Sequence, residues 1–256
     1  MKKINSEALI KKLIPTIYKA GSIAEKCSKK LKIFLKDDNT PVSSGDLAVD
    51  KLLQKFLKKI SPDIEIVSEE TIKKTKVKKR ETFWLIDPID GTNSYIKGGS
   101  EYTINVGLIV KRKPVAGIIY APKKKRLFYA YGKNKAYEIF NKTKKIKLNC
   151  SKKLKREKLA LTNSTLPSNK IKNIIKKYNI TKFVSMRSSL KFCLIASSEF
   201  DLYSAKPRAR EWDYAAGHAI VECAGAIVRT FQNKKILYGK KNFKNPSLLV
   251  KRNSNI

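Results

Sequence analysis

Histidine is nearly missing from this chain: among 256 residues, His218 is the only one. That excludes a multi-histidine metal site and argues against a histidine-based catalytic triad. Cysteine is sparse as well. Cys27, Cys150, Cys193 and Cys223 stand far apart, with no Cys-x-x-Cys pair, which argues against a zinc or disulfide framework. Cys27, Cys193 and Cys223 fall in apolar helical patterns and read as core thiols of a reducing compartment. No apolar run approaches ~20 residues, so no transmembrane helix is expected. The start, Met1-Lys2-Lys3, is basic, but charges interrupt the apolar stretch behind it, and it does not read as a signal peptide. The expected location is cytoplasmic.

Acids are scarce too: 21 Asp and Glu face 57 Lys and Arg, a formal charge of +36. Such an excess suggests an anionic partner. The lysines are scattered rather than grouped with aromatics, so they read first as a solvated surface, and no specific nucleic acid is expected. The charge leaves open a weak hold on an anionic membrane at its cytoplasmic face, and it would draw in a phosphorylated small molecule. Any chemistry must run on carboxylates, hydroxyls and cations.

What is present is organised around Asp87 to Thr92, Asp-Pro-Ile-Asp-Gly-Thr. The apolar run Thr82 to Ile86 reads as a buried strand. Pro88 disfavours a helix at Asp87, and Asp90-Gly91 signals a turn. Two carboxylates therefore sit where a strand is expected to break into a loop, with the Ile89 carbonyl between them. Carboxylates that close repel, and one takes up a proton unless a cation lies between them. A hard divalent ion bound by Asp87, Asp90 and the Ile89 carbonyl removes the conflict.

The length suits one domain or two joined subdomains. Leu9, Leu13, Ile17, Ala20, Ala24, Cys27 and Leu31 predict a helix from residue 6 to about 34, with Pro15 kinking it or shifting its start. Ser43 or Ser44 caps a second helix reaching Ile60, with Asp46 in its first turn, where the helix dipole alone would favour an acid. Ile64 to Val67 reads as a strand ending at Ser68-Glu69-Glu70, followed by a lysine-rich connection over 71–81. Strands are expected at 102–110, 115–120, 127–131 and 136–140, as an antiparallel sheet backing the two helices. From about Cys150 the pattern alternates. Strands are read at 159–162, 183–184, 200–203, 227–228 and 236–237, and helices follow Ser168, Ser188-Ser189 and Trp212. A subdomain boundary is placed near 150, dividing 1–150 from 151–256.

Glu69 follows the strand beside that of Asp87, and sequential strands often neighbour. Asp213 opens a helix of the second half. Taken singly, Glu69 and Glu70 suit a solvated surface and Asp213 an N-cap. Taken together, four carboxylates and a carbonyl suit two or more Mg²⁺ between the subdomains, with waters and a substrate phosphate completing the shells.

Three motifs in order, Ser68-Glu69-Glu70, Asp87 to Thr92, and Trp212-Asp213-Tyr214-Ala215-Ala216-Gly217, resemble the inositol monophosphatase superfamily of Mg²⁺-dependent, lithium-sensitive phosphatases. The resemblance covers nearly the whole chain. Asp38 to Val42, Glu101 to Asn105, Ile119 to Pro122, Ser188 to Cys193 and Ala215 to Ala219 look like its bacterial 3'(2'),5'-bisphosphate nucleotidase branch. Such enzymes remove the 3'-phosphate of adenosine 3',5'-bisphosphate. The resemblance implies an α/β (α+β) fold, a layered α-β-α-β-α sandwich. It implies two or three Mg²⁺. Glu69, Asp87 and the Ile89 carbonyl would hold one ion, and Asp87, Asp90 and Asp213 a second. Asp46 would work with Thr92 near the attacking water, and the backbone of Gly91 and Thr92 would contact phosphate. Ser189 and Lys191 are candidates for the substrate pocket, and Glu69, Ile89, Asp90 and Asp213 would face the substrate as well as the metal.

The chain departs from the branch at Asn93-Ser94-Tyr95, at Met186-Arg187 and in the basic run Lys206 to Arg210, which leaves the substrate open. Inositol monophosphate and a fructose bisphosphate stay as alternatives within the superfamily, and a homodimer is left open. Haloacid-dehalogenase-type phosphatases use Asp-x-Asp with a nucleophilic first acid; here two residues separate the acids. An RNA-binding module with an incidental acid cluster is the remaining competitor.

Overall fold

Apolar periodicity near 3.6 residues makes the first helix, α1 (Ser6–Ser28), which buries Ile10, Leu13, Ile17, Ala20 and Ala24. The computed structural model describes residues 4–36, 39–72, 81–151 and 154–256. Asp38 and most of the 71–81 connection lie outside the described residues. The helix continues through Pro15, which is exposed, so water can meet the carbonyl that loses its partner. It stops six residues short of the expected end. Ile33–Leu35 instead forms strand β1, paired antiparallel with β2 (Pro41–Ser43). Leu31 continued the helical spacing, but it packs against the core from outside the helix.

Helix α2 (Ser44–Ile60) starts at Ser43, whose hydroxyl and N–H both meet Asp46 Oδ2. A seven-stranded sheet follows: β3 (Glu65–Ser68), β4 (Phe83–Asp90), β5 (Thr103–Val110), β6 (Lys113–Ala121), β7 (Arg126–Ala130), β8 (Ala136–Phe140) and β9 (Lys144–Lys147), in that spatial order. Only β3 and β4 run parallel. Alternation sorts the side chains between two cores. Trp84, Ile86, Val106, Ile118 and Leu127 face α1 and α2. Phe83, Leu85, Ile119 and Phe128 face the other way, toward α5 (Leu190–Ala196) and α6 (Glu211–Cys223). Each large apolar side chain buried this way contributes about 1.5–3 kcal/mol.

Beyond α5 and α6 lies a five-stranded sheet in the order β11 (Lys182–Ser185), β10 (Leu159–Thr162), β12 (Leu202–Ala205), β14 (Leu248–Lys251), β13 (Ile227–Arg229). Helix α4 (Asn169–Lys177) covers its outer face through Ile171 and Ile175. The layers are thus α-β-α-β-α, as the resemblance implied. The strand expected at 236–237 is absent; Leu248–Lys251 takes its place between β12 and β13. Tyr238 pairs instead with the Arg112 backbone, which holds that segment off the sheet.

Two details place the functional residues. Cross-strand partners Gly107 and Gly117 lie under α6, where a Cβ on Gly117 would sit 2.5 Å from the Ala216 carbonyl oxygen and one on Gly107 2.7 Å from Ala215 Cβ. Only glycine lets the helix lie that close. The second detail is in β4. Asp87 pairs with Asn105 and Asp90 with Thr103, so three steps on β4 oppose two on β5. That is a β-bulge with one extra residue. The strand therefore does not break at Asp87, as expected from the sequence; it runs on to Asp90, and Pro88 is absorbed in the bulge.

Candidate active site

The bulge is what lets two acids three residues apart serve one site. In a regular strand they would point to opposite faces. Residues directly opposite in an antiparallel pair share a face. Asn105 and Thr103 are two apart and so share one, and Asp87 and Asp90, their partners, do too. Both acids then face α6.

Carboxylate oxygens of Glu69, Asp87 and Asp213 lie within 4.8 Å of one another, brought together from the end of β3, from β4 and from the first turn of α6. The parallel pairing of β3 with β4 sets the first contact, and the Glu69 N–H extends it by donating to the Ile86 carbonyl at 3.1 Å. Asp213 Oδ2 accepts the Arg210 N–H at 2.7 Å, so the residue caps α6 by reaching back from its third position to the N-cap Arg210, and it is also a member of the cluster. Asp90 stands beside them. Its Oδ2 accepts both the N–H and the hydroxyl of Ser189, and Ser189 Oγ also lies 2.6 Å from the Asp213 carbonyl oxygen.

Electrostatics make the cluster costly without a cation. Burial first, then the neighbouring acids, push the Asp87 and Asp213 carboxyls well above the usual range. Burial raises Glu69 as well, against the pull of Lys36. Glu70 is pushed up to about 7, again mainly by burial. Burying charge costs several kcal/mol per ion unless a counter-charge meets it. Part of that charge comes from Lys36, whose Nζ lies 2.9 Å from both Glu69 and Glu70. Burial works to lower the Lys36 pKa, but the two carboxylates outweigh it and hold it above the ordinary lysine value. Lys36 was not singled out in the sequence; its position just before Asp37-Asp38-Asn39-Thr40-Pro41 was the available signal.

Asp87 Oδ1 is buried and has no hydrogen-bond partner. An orphaned carboxylate oxygen among three further acids, with no histidine or thiol near, is a donor set for a hard divalent cation. The residues present fit such an ion.

Asp46 and Thr92 lie in contact. Thr92 Oγ1 lies 3.4 Å from Asp46 Oδ1 and donates to the Ile89 carbonyl at 3.0 Å. Asp46 is held by Ser43 through its other oxygen, so its capping role and its approach to Thr92 use different atoms. Gly91 adopts φ +95°, the left-handed turn that starts the short helix α3 (Thr92–Ile96). Glu69, Asp90, Gly91, Thr92, Ser189, Lys191 and Asp213 all line one cavity of about 470 Å³. Ser189 and Lys191 are nearly buried in its wall, with their polar atoms engaged. Lys191 Nζ donates to the Met186 and Ser188 carbonyls at 3.0 and 2.6 Å, and burial lowers its pKa to about 8.

A family model described as inositol monophosphatase family matches residues 5–254. The chain is 34% identical over 226 residues to the 3'(2'),5'-bisphosphate nucleotidase CysQ of Salmonella typhimurium, covering 87% of this chain and 90% of that protein. It is also 34% identical over 251 residues to the protein of the same name from Buchnera aphidicola, covering 93% of each. Among solved structures, CysQ from Bacteroides thetaiotaomicron superposes with a TM-score of 0.80 at 27% identity, covering 95% of this chain and 97% of that one.

Proposed function

The chain belongs to the inositol monophosphatase family, and on that premise we propose that it is a Mg²⁺-dependent phosphomonoesterase that removes the 3'-phosphate of adenosine 3',5'-bisphosphate, yielding AMP and phosphate. The observation that carries the reading is the cluster of Glu69, Asp87 and Asp213, of which Glu69 and Asp213 line a cavity while Asp87 lies buried behind them with its Oδ1 left without a partner. The nucleotide is favoured because relatives matched along almost the whole chain carry that activity in their names. Its phosphosulfate counterpart is a related substrate in the same reading.

We assign one ion to Glu69, Asp87 and the Ile89 carbonyl and a second to Asp87, Asp90 and Asp213, with a third as an option during turnover. When bound, Mg²⁺ would lower the pKa of water and neutralise charge on the phosphate. The chain's own residues do the rest. In the reacting state the Thr92 hydroxyl, which rests on the Ile89 carbonyl, swings its hydrogen bond to Asp46 Oδ1 and keeps its proton, so the Thr92 oxygen turns a lone pair to an attacking water and orients it. Glu69, with its pKa raised by burial, receives a proton from that water. The Gly91 and Thr92 N–H groups hold the phosphate at the turn. Water attacks phosphorus directly, since no thiol or histidine nucleophile lines the cavity among the described residues; as its oxygen bonds to phosphorus the bond to the 3'-oxygen breaks, and that oxygen takes up a proton from solvent.

The test is an assay of purified protein on adenosine 3',5'-bisphosphate, its 5'-phosphosulfate counterpart, inositol 1-phosphate and fructose 1,6-bisphosphate, each with and without Mg²⁺ and Li⁺. Fastest turnover of inositol 1-phosphate overturns the nucleotide. Turnover without a divalent ion, or full activity in Asp90→Asn, overturns the metal assignment.

We also propose a division into two subdomains near residue 150, between the end of β9 and the start of β10, which limited proteolysis would test. No helix is long and apolar enough to cross a membrane among the described residues. A cytoplasmic location, with the cationic surface holding weakly to anionic lipid, and homodimerisation are further proposals. Vesicle flotation and sedimentation equilibrium decide the last two.

A further inference from the structure

Asp50 is a buried acid that the mechanism above does not use. It lies on α2 one turn beyond Asp46 and is 5% exposed, on the side that also buries Val49, Leu53 and Leu57. Aspartate is a poor helix former, and burying a carboxylate is costly. An apolar side chain would serve the core better, so the packing of α2 does not account for it. Among the described residues its partners are hydrogen-bond donors rather than a cation, and both lead to one place.

Asp50 Oδ1 accepts the hydroxyl of Ser68 at 2.5 Å. Its Oδ2 accepts Gln54 Nε2 at 2.6 Å, and the same Nε2 donates to Thr71 Oγ1 at 3.3 Å. Ser68 and Thr71 are the two ends of a turn, closed by the Thr71 N–H on the Ser68 carbonyl at 3.2 Å. The two residues between them are Glu69 and Glu70. Asp50 therefore holds one end of this turn directly and the other through Gln54.

Residues in a connection are ordinarily among the more mobile parts of a fold. Here they must keep a carboxylate in place. The Glu69 N–H anchors the turn to the Ile86 carbonyl of β4, and Lys36 meets the two carboxylates at their tips. Asp50 and Gln54 supply the support from α2. Ser68, fully buried, passes it on, since its Oγ also stands 3.4 Å from the Glu70 N–H. Asp46, Asp50 and Gln54 follow at steps of four and so lie along one stripe of the helix. Asp46 meets Thr92, and the other two meet the Glu69 turn.

We propose that Asp50, with Gln54, is the positioning residue of Glu69 and Glu70: it clamps both ends of the turn that carries them and so sets the affinity of the ion assigned to Glu69. This rests on the metal assignment above and does not depend on the substrate.

Metal binding reads the clamp apart from turnover. In titration calorimetry with Mg²⁺ alone, Asp50→Ala should weaken affinity on the order of 10- to 100-fold, the usual scale for losing a partner behind a ligand. Turnover should show the same change as a raised Mg²⁺ requirement, with kcat recovering toward the parent at saturating ion. Ser68→Ala removes one hydroxyl and should move affinity the same way. Adding it to Asp50→Ala should cost little more, because both cut one link. Asp50→Asn keeps an acceptor for Ser68 and should stay closer to the parent than to Asp50→Ala. If Asp50→Ala does not fold, Ser68→Ala and Gln54→Ala carry the reading. A lower Tm with Mg²⁺ affinity unmoved in these variants would make Asp50 a packing residue and overturn the clamp, as would full additivity in the double variant. A parent protein that binds no Mg²⁺ overturns the metal assignment itself, and the clamp with it.

Discussion

Ser189 donates both its backbone N–H and its hydroxyl to Oδ2 of Asp90, a residue 99 positions earlier in the chain. The same hydroxyl oxygen lies against the Asp213 carbonyl and accepts from Asn105 Nδ2 at 3.1 Å. One side chain thus ties the bulge of β4 to the starts of α5 and α6. Ser189 reads from sequence as a pocket residue, but with its hydroxyl engaged its effect on substrate runs through Asp90. Ser189→Ala should weaken Mg²⁺ affinity and lower kcat on the order of 10-fold while moving KM little, and should cost about 1–3 kcal/mol of stability. Metal titration beside steady-state kinetics checks this. A rise in KM alone would return Ser189 to the substrate.

Thr92→Val removes the hydroxyl that lies between the Ile89 carbonyl and Asp46 but keeps the shape. Its kcat should fall by about 10²–10⁴, the usual scale of lost acid–base assistance. Metal affinity should stay close to that of the parent, since no assigned ligand changes. Loss of metal binding in this variant would place Thr92 in the ion's own shell.

Gly117→Ala brings a methyl to within 2.5 Å of the Ala216 backbone, which has no flexible end to yield. Helix α6 must shift, and Asp213 moves with it. Overpacking of this kind costs about 1–3 kcal/mol. The expected result is a lower Tm together with weaker Mg²⁺ binding, read by thermal melts with and without the ion. A lower Tm with metal affinity intact would separate packing from the site.

The pH dependence of the metal-free protein follows from the raised carboxyls. Asp87, Asp213, Glu69 and Glu70 all titrate above their unfolded values, so the folded state binds more protons than the unfolded one. Their contribution to stability is complete below the unfolded carboxyl range near 4 and is lost as pH rises through the folded values, about 7 for Glu70. Metal-free Tm should therefore fall between pH 5 and pH 8, at roughly 1.4 kcal/mol per unit for each proton difference. Mg²⁺ should restore more stability at pH 8 than at pH 5, because at low pH it must displace protons. Asp87→Asn, neutral and of the same shape, should be more stable than the parent without metal at pH 8 and should lose its response to Mg²⁺. A flat Tm profile in metal-free parent protein would contradict the burial of these acids.

By itself the sequence determined the elements, the chemistry and the order of the site. Strand alternation and helical spacing placed most strands and helices. With a single histidine and no paired cysteine, carboxylates and a backbone carbonyl were left as the metal donors. Asp87 and Asp90 were legible because two acids crowd one strand end, where turn chemistry does not require the second; Glu69 and Asp213 were legible only in their company, since a solvated surface and a helix cap explain them singly. Thr92 and Asp46 were legible only through the resemblance, since an acid in a first helical turn has an ordinary explanation.

Tertiary structure alone decided how those pieces meet. Local pattern cannot show a β-bulge, because the extra residue on β4 is defined by its partners on β5. Without the bulge, the two-residue gap between Asp87 and Asp90 would set them on opposite faces. The depth of α6, and so the reach of Asp213, depends on two glycines that face it across the sheet. The contact of Lys36 with Glu69 and Glu70 depends on a two-stranded ribbon that helical spacing concealed. Each of these is a relation between residues distant in the chain, and packing rather than propensity sets it.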